Sequence, residues 1–294
     1  MTVYASIITY NPKKELLGKA VSAVIDQIDK LIIVDNFSNN GFSFADISGR
    51  LSNEQNDKTV FIGNDRNVGI AEALNAAVSV CEQDGCEWLL TLDQDSVVPS
   101  DLIDSYRKYL DLEKIGQLCC GFVDNNQTDL EVEKMSPLTI PVSGEGKSGQ
   151  YKVYACITSG SLLNVKACLE VGGFNNVLFI DYVDYDISLK LYNKGFSNYY
   201  IPSVKMHHEF GDAHIKRFLW LRYTDYRFSP SRVYYKARNA VYMKRKYPEF
   251  KAVFTKSLIY DLMCIVLGFR LKCLGQFIKG LMDSSSKICS YSSH

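Results

Sequence analysis

Five residues of strand-type sequence, Trp88-Leu89-Leu90-Thr91-Leu92, stop abruptly at Asp93-Gln94-Asp95. A short apolar run bounded by turn residues reads as a buried strand, and the same grammar recurs upstream. Residues 3–9 form a strand-type run ending in Tyr10-Asn11-Pro12, residues 31–34 one ending in Asp35-Asn36, and residues 59–62 one ending at Asn64-Asp65-Arg66-Asn67-Val68-Gly69. Between them lie two helical patterns. Leu17, Val21, Val24, Ile25 and Ile28 share a face over residues 15–28, and Ile70, Leu74, Ala77 and Cys81 over residues 70–81. Strands alternating with helices over short connections predict an α/β chain with a mainly parallel sheet and right-handed crossovers.

Parallel strands leave the sheet on one edge, where open α/β sheets bind their ligands. The four polar exits should therefore gather there. Turn chemistry explains any one Asn or Asp; jointly they describe a nucleotide pocket. Asp93 and Asp95 are oxygen ligands suited to Mg²⁺ or Mn²⁺, which would hold a diphosphate, whereas an isolated Asp-x-Asp is ordinarily a solvated turn. The first strand is not followed by Gly-x-Gly-x-x-Gly, and no Walker-type Gly-Lys-Ser/Thr occurs, which disfavours dinucleotide-binding and P-loop folds.

Composition narrows the partners. With 294 residues, 47% hydrophobic, and 33 basic against 33 acidic side chains, the chain buries a sizeable core and has no polyelectrolyte character that would imply nucleic acid. Nine scattered cysteines without a metal-type Cys-x-x-Cys, and an N-terminus that opens directly on a strand, predict reduced thiols and a cytoplasmic protein. No apolar stretch reaches the ~20 residues of a spanning helix.

Further along, a helix near 100–112 and a strand near 118–123 precede a polar stretch, 124–150, that reads as a mobile loop or hairpin. Thr158-Ser159-Gly160-Ser161 is a small-residue turn that would let backbone approach a sugar. Asp181, Asp184 and Asp186 should repel unless protonated, metal-bound or pointed apart. A helix starting at Asp184 would put Asp181 near its N-cap and Asp186 in its first turn, a role needing no catalysis. Met206-His207-His208-Glu209-Phe210-Gly211-Asp212 offers an imidazole that could complete a metal site with Asp95. Arg232, Tyr235 and Arg238 recur at one-turn spacing, so one helix face could present two guanidiniums and a phenol to an anion, or simply be a solvated basic face. From residue 246 the character changes. Phe250, Phe254, Leu258, Ile259, Leu262, Ile265, Val266 and Phe269 form a broad apolar stripe, continued by Leu274, Phe277, Ile278 and Leu281, with Lys251, Lys256, Arg270, Lys272 and Lys279 around it. An interfacial membrane anchor and a packing face for the catalytic domain or a second subunit explain it equally well.

Ile8-Thr9-Tyr10-Asn11, Val34-Asp35-Asn36, Asn67-Val68-Gly69 and Leu92-Asp93-Gln94-Asp95 together resemble the nucleotide-sugar half of family 2 inverting glycosyltransferases. The resemblance implies the GT-A fold, a Rossmann-like mixed sheet flanked by helices, over residues 1–245, followed by an amphipathic helical extension over 246–283 and a tail, 284–294, expected to be disordered. It implies that Thr9, Tyr10, Asn11, Asp35, Asn36, Asn67, Gly69, Asp93 and Gln94 contact the donor, with Asp35 accepting from the ring N3–H of a uracil or thymine. Asp95 and His208 would hold Mg²⁺ or Mn²⁺, His208 being selected over His207 by the pattern His-x-x-Gly-Asp. Val183-Asp184-Tyr185-Asp186 stands where the family carries Glu-Asp-x-Asp. That departure, with the preceding Phe179-Ile180-Asp181-Tyr182, resembles the rhamnosyltransferase branch and implies Asp184 as general base, with Asp181 the second catalytic candidate. Arg-x-Tyr-Tyr-x-x-Arg-Asn at 232–239 also resembles that branch and implies diphosphate or acceptor contacts for Arg232, Tyr235 and Arg238.

The expectation is thus a metal-dependent inverting transfer of L-rhamnose from dTDP-rhamnose to a saccharide or lipid-linked acceptor in bacterial O-antigen or capsule synthesis. The enzyme would be cytoplasmic, with peripheral contact at the inner face of the membrane or a homodimer made by the C-terminal helices. A UDP-hexose donor and a non-catalytic nucleotide-sugar-binding subunit are the alternatives.

Overall fold

A computed structural model describes residues 1–124, 149–208, 214–218 and 221–286. Outside them lie nearly all of the expected 124–150 loop, residues 209–213 of the His-x-x-Gly-Asp pattern and residues 287–294 of the tail.

In chain order the elements are β1 (Val3–Thr9), α1 (Lys14–Val24), β2 (Lys30–Asp35), the short helices α2 (Ala45–Ser48) and α3 (Asn53–Asp57), β3 (Thr59–Gly63), α4 (Ile70–Asp84) and β4 (Trp88–Asp93). There follow α5 (Leu102–Arg107), β5 (Ile115–Asp124), β6 (Tyr151–Val153), β7 (Ser161–Asn164), α6 (Val165–Glu170), α7 (Val183–Asn193) and β8 (Ser197–His208). The last elements are β9 (His214–Phe218), β10 (Leu221–Asp225), α8 (Pro230–Lys246), α9 (Lys251–Leu267) and α10 (Leu271–Ser286). They form two compact units, Met1–Asn176 with Asp184–Glu209, and Val177–Val183 with Phe210–His294. The second unit begins earlier in the chain than residue 246 and takes in α8.

The first unit is built on an eight-stranded sheet of order β3-β2-β1-β4-β7-β5-β8-β6. β1 pairs in parallel with β2 and β4, and β2 with β3, because α1 and α4 supply the crossovers. Ile7, Leu31, Ile32, Ile33, Leu89 and Leu90 are wholly buried, at about 1.5–3 kcal/mol each. Ala71, Ala73 and Ala77 of α4 are also wholly buried. Beyond β4 the sheet becomes mixed. β7 runs antiparallel to β4 and β5, β5 parallel to β8, and β6 antiparallel to β8.

The expectation of uniformly reduced thiols needs correcting at one pair. Cys119 on β5 and Cys156 form a disulfide with Cα atoms 6.0 Å apart, a proximity their separation of 37 residues does not reveal. Cys81, Cys86, Cys120, Cys168, Cys264 and Cys273 are buried free thiols, and burial pushes Cys120 up to about 11.

In the second unit β9 and β10 form an antiparallel hairpin. α8, α9 and α10 enclose Val233, Ala237, Ile265, Cys273 and Phe277. Gly280 lets α10 lie against the Tyr234 carbonyl of α8, where a Cβ would clash. The broad apolar stripe of the sequence divides here: Phe254 and Ile265 are buried, while Ile259, Leu262, Val266 and Phe269 are exposed. No helix among the described residues is long and apolar enough to cross a membrane.

Candidate active site

Register places the exits side by side. Thr9 is opposite Asp35, Asp35 opposite Gly63, and Ile8 opposite Asp93. Thr9 is wholly buried, and its hydroxyl donates to Asp35 Oδ1 at 2.8 Å. Ser38 donates its hydroxyl to the same oxygen at 2.5 Å and its N–H to Oδ2 at 3.0 Å. A carboxylate has about four lone-pair sites, so these three donors leave room for one more on Oδ2. Tyr10, 47% exposed, donates its N–H to Gln94 Oε1 at 2.9 Å, tying the β1 exit to the β4 exit. Asn11 is held through its N–H on Ser38 Oγ and its side-chain oxygen on Asn39 N.

Asn36 and Asn67 have a different part. Asn36 is 4% exposed; its Oδ1 accepts from Val68 N at 2.9 Å and Asn64 Nδ2 at 3.2 Å, and its Nδ2 donates to Asn67 Oδ1 at 3.0 Å. Asn67 Oδ1 also accepts from Gly69 N at 3.0 Å. Both amides brace the loop between β3 and α4. Phe37, which the sequence pattern did not single out, is half exposed beside Asp35 with a left-handed φ of 70°.

At the β4 exit the Asp93 N–H donates to Ser159 Oγ at 3.1 Å, and Ser159 Oγ lies 2.8 Å from Ser96 Oγ. Gly160 follows with φ +76°, its amide on the Thr91 carbonyl, and a Cβ there would lie 2.8 Å from Cys120 Sγ. The small-residue turn is therefore required by close packing around β4. Asp95 is half-buried in the turn after β4, with no donor of the described residues in hydrogen-bonding reach. An unpaired carboxylate of this kind suits a hard cation. No set of three His, Cys, Asp or Glu side chains that could hold a metal occurs among the described residues. His208 ends β8, in register with Asp124, and its side chain lies outside the described set.

Each of the three carboxylates at 181–186 has its own partner. Asp186 is fully buried, with Lys190 Nζ at 3.9 Å. Asp184 is half-buried in the first turn of α7, accepting from Tyr185 N at 2.9 Å. Ser188 ties that turn down, donating to the Asp184 carbonyl at 2.7 Å while accepting from Gln117 Nε2 and Cys156 N. The segment 156–160 thus touches both the α7 turn and the β4 exit. Asp181, in the second unit, takes a forked pair from Arg232, with Nη2 at 2.9 Å and Nε at 3.2 Å.

Phe179, Asp181 and Tyr182 all have left-handed backbone, with φ of 62°, 62° and 65°. Asn239, fully buried, holds this run by donating to the carbonyls of Leu178, Ile180 and Asp181 at 2.6, 2.7 and 3.2 Å. Arg238 donates to the carbonyls of Val177 and Leu178, and Tyr235 stacks on Phe179 with centroids 4.6 Å apart. Arg232, Tyr235 and Arg238 therefore share the face the spacing predicted, and that face engages residues 177–181.

Residues 5–172 match the profile of glycosyl transferase family 2. The chain belongs to this family. The match takes in all four strand exits. Over 248 residues this family 2 glycosyltransferase is 29% identical to a protein described as dTDP-rhamnosyl transferase RfbF of Shigella flexneri, spanning 83% of this chain and 80% of that one. Its fold is the GT-A fold of solved glycosyltransferases. S. aureus TarS 1-349 in complex with UDP-GlcNAc superposes with a TM-score of 0.61 at 14% identity, over 97% of this chain and 80% of that one. The mannosyltransferase PcManGT from Pyrobaculum calidifontis, solved with GDP-Man and Mn²⁺, gives 0.59 at 14% identity over 99% and 79%. Against a longer TarS structure the family 2 chain spans only 40% of the neighbour's length.

Proposed function

We propose that this protein is an inverting rhamnosyltransferase that moves L-rhamnose from dTDP-rhamnose to a saccharide or lipid-linked acceptor in surface polysaccharide synthesis. The observation that carries the donor assignment is the similarity to the Shigella protein over most of both chains. Asp35 Oδ2 accepts the N3–H of thymine with its remaining lone pair, while the Thr9 and Ser38 hydroxyls fix the carboxylate. Tyr10 and Phe37, both exposed at this exit, offer ring faces to the base. Asp95 and His208 are the ligands for Mg²⁺ or Mn²⁺, an ion that, when bound, neutralises charge growing on the departing diphosphate.

Asp184 is the general base. On the face of the sugar opposite the leaving group, its carboxylate takes the acceptor hydroxyl's proton as the new C1–O bond forms, which inverts the anomeric centre. The Tyr185 N–H and the Ser188 bond hold that carboxylate's turn in place before substrate arrives. A UDP-hexose would satisfy Asp35 equally, because uracil presents the same N3–H.

Thermal shift with dTDP, UDP and GDP, each with Mn²⁺, Mg²⁺ or chelator, tests the donor; specific binding raises Tm by mass action. A preference for UDP over dTDP would move the assignment to the hexose reading. Asp184→Asn should keep the nucleotide shift and lower transfer on the order of 10²–10⁴-fold. Full transfer by that variant would remove Asp184 as the base, and binding without donor turnover in the parent would favour a non-catalytic subunit.

A further inference from the structure

The hairpin of α9 and α10 carries apolar side chains that no described part of the chain covers. α9 closes with paired backbone bonds, Arg270 N to Ile265 O at 3.1 Å and Phe269 N to Val266 O at 3.0 Å. In such a closure the left-handed residue is ordinarily glycine. Here it is Phe269, with φ +52°, and it is 91% exposed. Leu271, opening α10, is 80% exposed. A bulky ring in a left-handed conformation with almost no packing returns nothing to the fold that holds it.

From this tip the exposed apolar positions run back along α9 as Val266, Leu262 and Ile259 and forward along α10 as Leu271 and Ile278, at spacings that keep each set on one helix face. The charged residues exposed among them are Lys251, Lys256, Lys272 and Lys279. Both carboxylates of the hairpin have internal partners: Asp261 takes Lys236 Nζ at 2.9 Å and Asp283 takes the Tyr234 hydroxyl at 2.8 Å. The exposed side of the hairpin is apolar, fringed by lysine, and has no exposed acid.

We propose that this hairpin docks on the surface of a bilayer containing anionic phospholipid, with Phe269 and Leu271 entering the headgroup–acyl boundary and the lysines facing lipid phosphates. Charge selects this occupant over a second copy of the chain. A two-fold contact would set the lysine fringe against itself, whereas an anionic surface neutralises it. Docking is independent of the sugar transferred and is read without donor or acceptor.

The test is sedimentation of the full chain with phosphatidylcholine vesicles and with phosphatidylcholine–phosphatidylglycerol vesicles. Binding should appear on the anionic vesicles and fall as salt rises. Phe269→Gly with Leu271→Ser should lower partitioning at least tenfold while melting no lower than the parent, and Lys256→Gln with Lys272→Gln should cost about fivefold per lysine. Equal sedimentation of parent and tip variant would overturn the proposal. So would a parent that ignores anionic vesicles, including one whose light-scattering mass is a dimer that the tip variant dissolves, which would give the face to a second copy.

Discussion

The strand exits of the first unit and the ion pairs of the second treat carboxylates in opposite ways. At the strand exits of the first unit, Asp35 is held only by hydroxyl and amide donors, and Asp95 has no donor among the described residues. In the second unit three carboxylates meet cations: Asp181 pairs with Arg232, Asp261 with Lys236, and Asp225 with Lys216 at 2.7 Å and Arg270 at 3.6 Å. Neutral donors orient a carboxylate without cancelling its charge, which stays available for a base N–H or a cation. A cationic partner cancels the charge and makes the group structural. At the strand exits, the uncancelled charge of Asp35 and Asp95 agrees with the ligand roles their motifs imply.

The sharpest way to break this contrast is Asp95→Asn. It should lower transfer on the order of 10³-fold and abolish the metal-dependent part of the nucleotide shift, with Tm almost unchanged; a large fall in Tm would make Asp95 structural after all. Next is Asn239→Ala in the second unit, which strips donors from three carbonyls of a left-handed run and should cost about 3 kcal/mol in denaturant unfolding. Asp225→Ala should cost about 2 kcal/mol, below the range for fully buried pairs because Lys216 remains 33% exposed.

Asp225 also sharpens the contrast through pH. Burial tends to raise its pKa, but Lys216, the Arg227 N–H and Arg270 outweigh it and hold the carboxyl below its ordinary value. A depressed folded pKa means its stabilisation is present above about pH 4 and is lost as pH falls through the folded value. Asp225→Asn should flatten the Tm-versus-pH curve in that acidic window, and an unchanged curve would contradict the charge assignment. The smallest effect expected is a gain: Phe269→Gly relieves a left-handed side chain and should add about 0.5 kcal/mol.

Much of the first unit was legible because its signals are local. Apolar runs ending in Asn or Asp mark β1 to β4, and parallel pairing then gathers their ends whatever follows. The antiparallel insertion of β7 between β4 and β5 was not legible, since it depends on pairing across some seventy residues of separation, such as Leu90 with Leu162. Within the site, Asn36 and Asn67 look in sequence like Asp35, because loop bracing and ligand contact draw on the same side chains. Only the hydrogen bonds separate them. Phe37 and Phe269 were missed as left-handed positions because no turn rule favours a phenylalanine there. Arg232 and Arg238 were placed on one helix face by spacing, but spacing is silent about Asp181 and the 177–178 carbonyls they engage.

The segment Val177–Val183 has a practical consequence for anyone recombining such enzymes. It clusters with the C-terminal half although both of its neighbours in sequence cluster with the N-terminal half. A chimera joined at one point near residue 209 would inherit the left-handed run from one parent and its asparagine clamp from the other. Exchange of the C-terminal unit should therefore use two junctions, carrying these seven residues together with everything after 209.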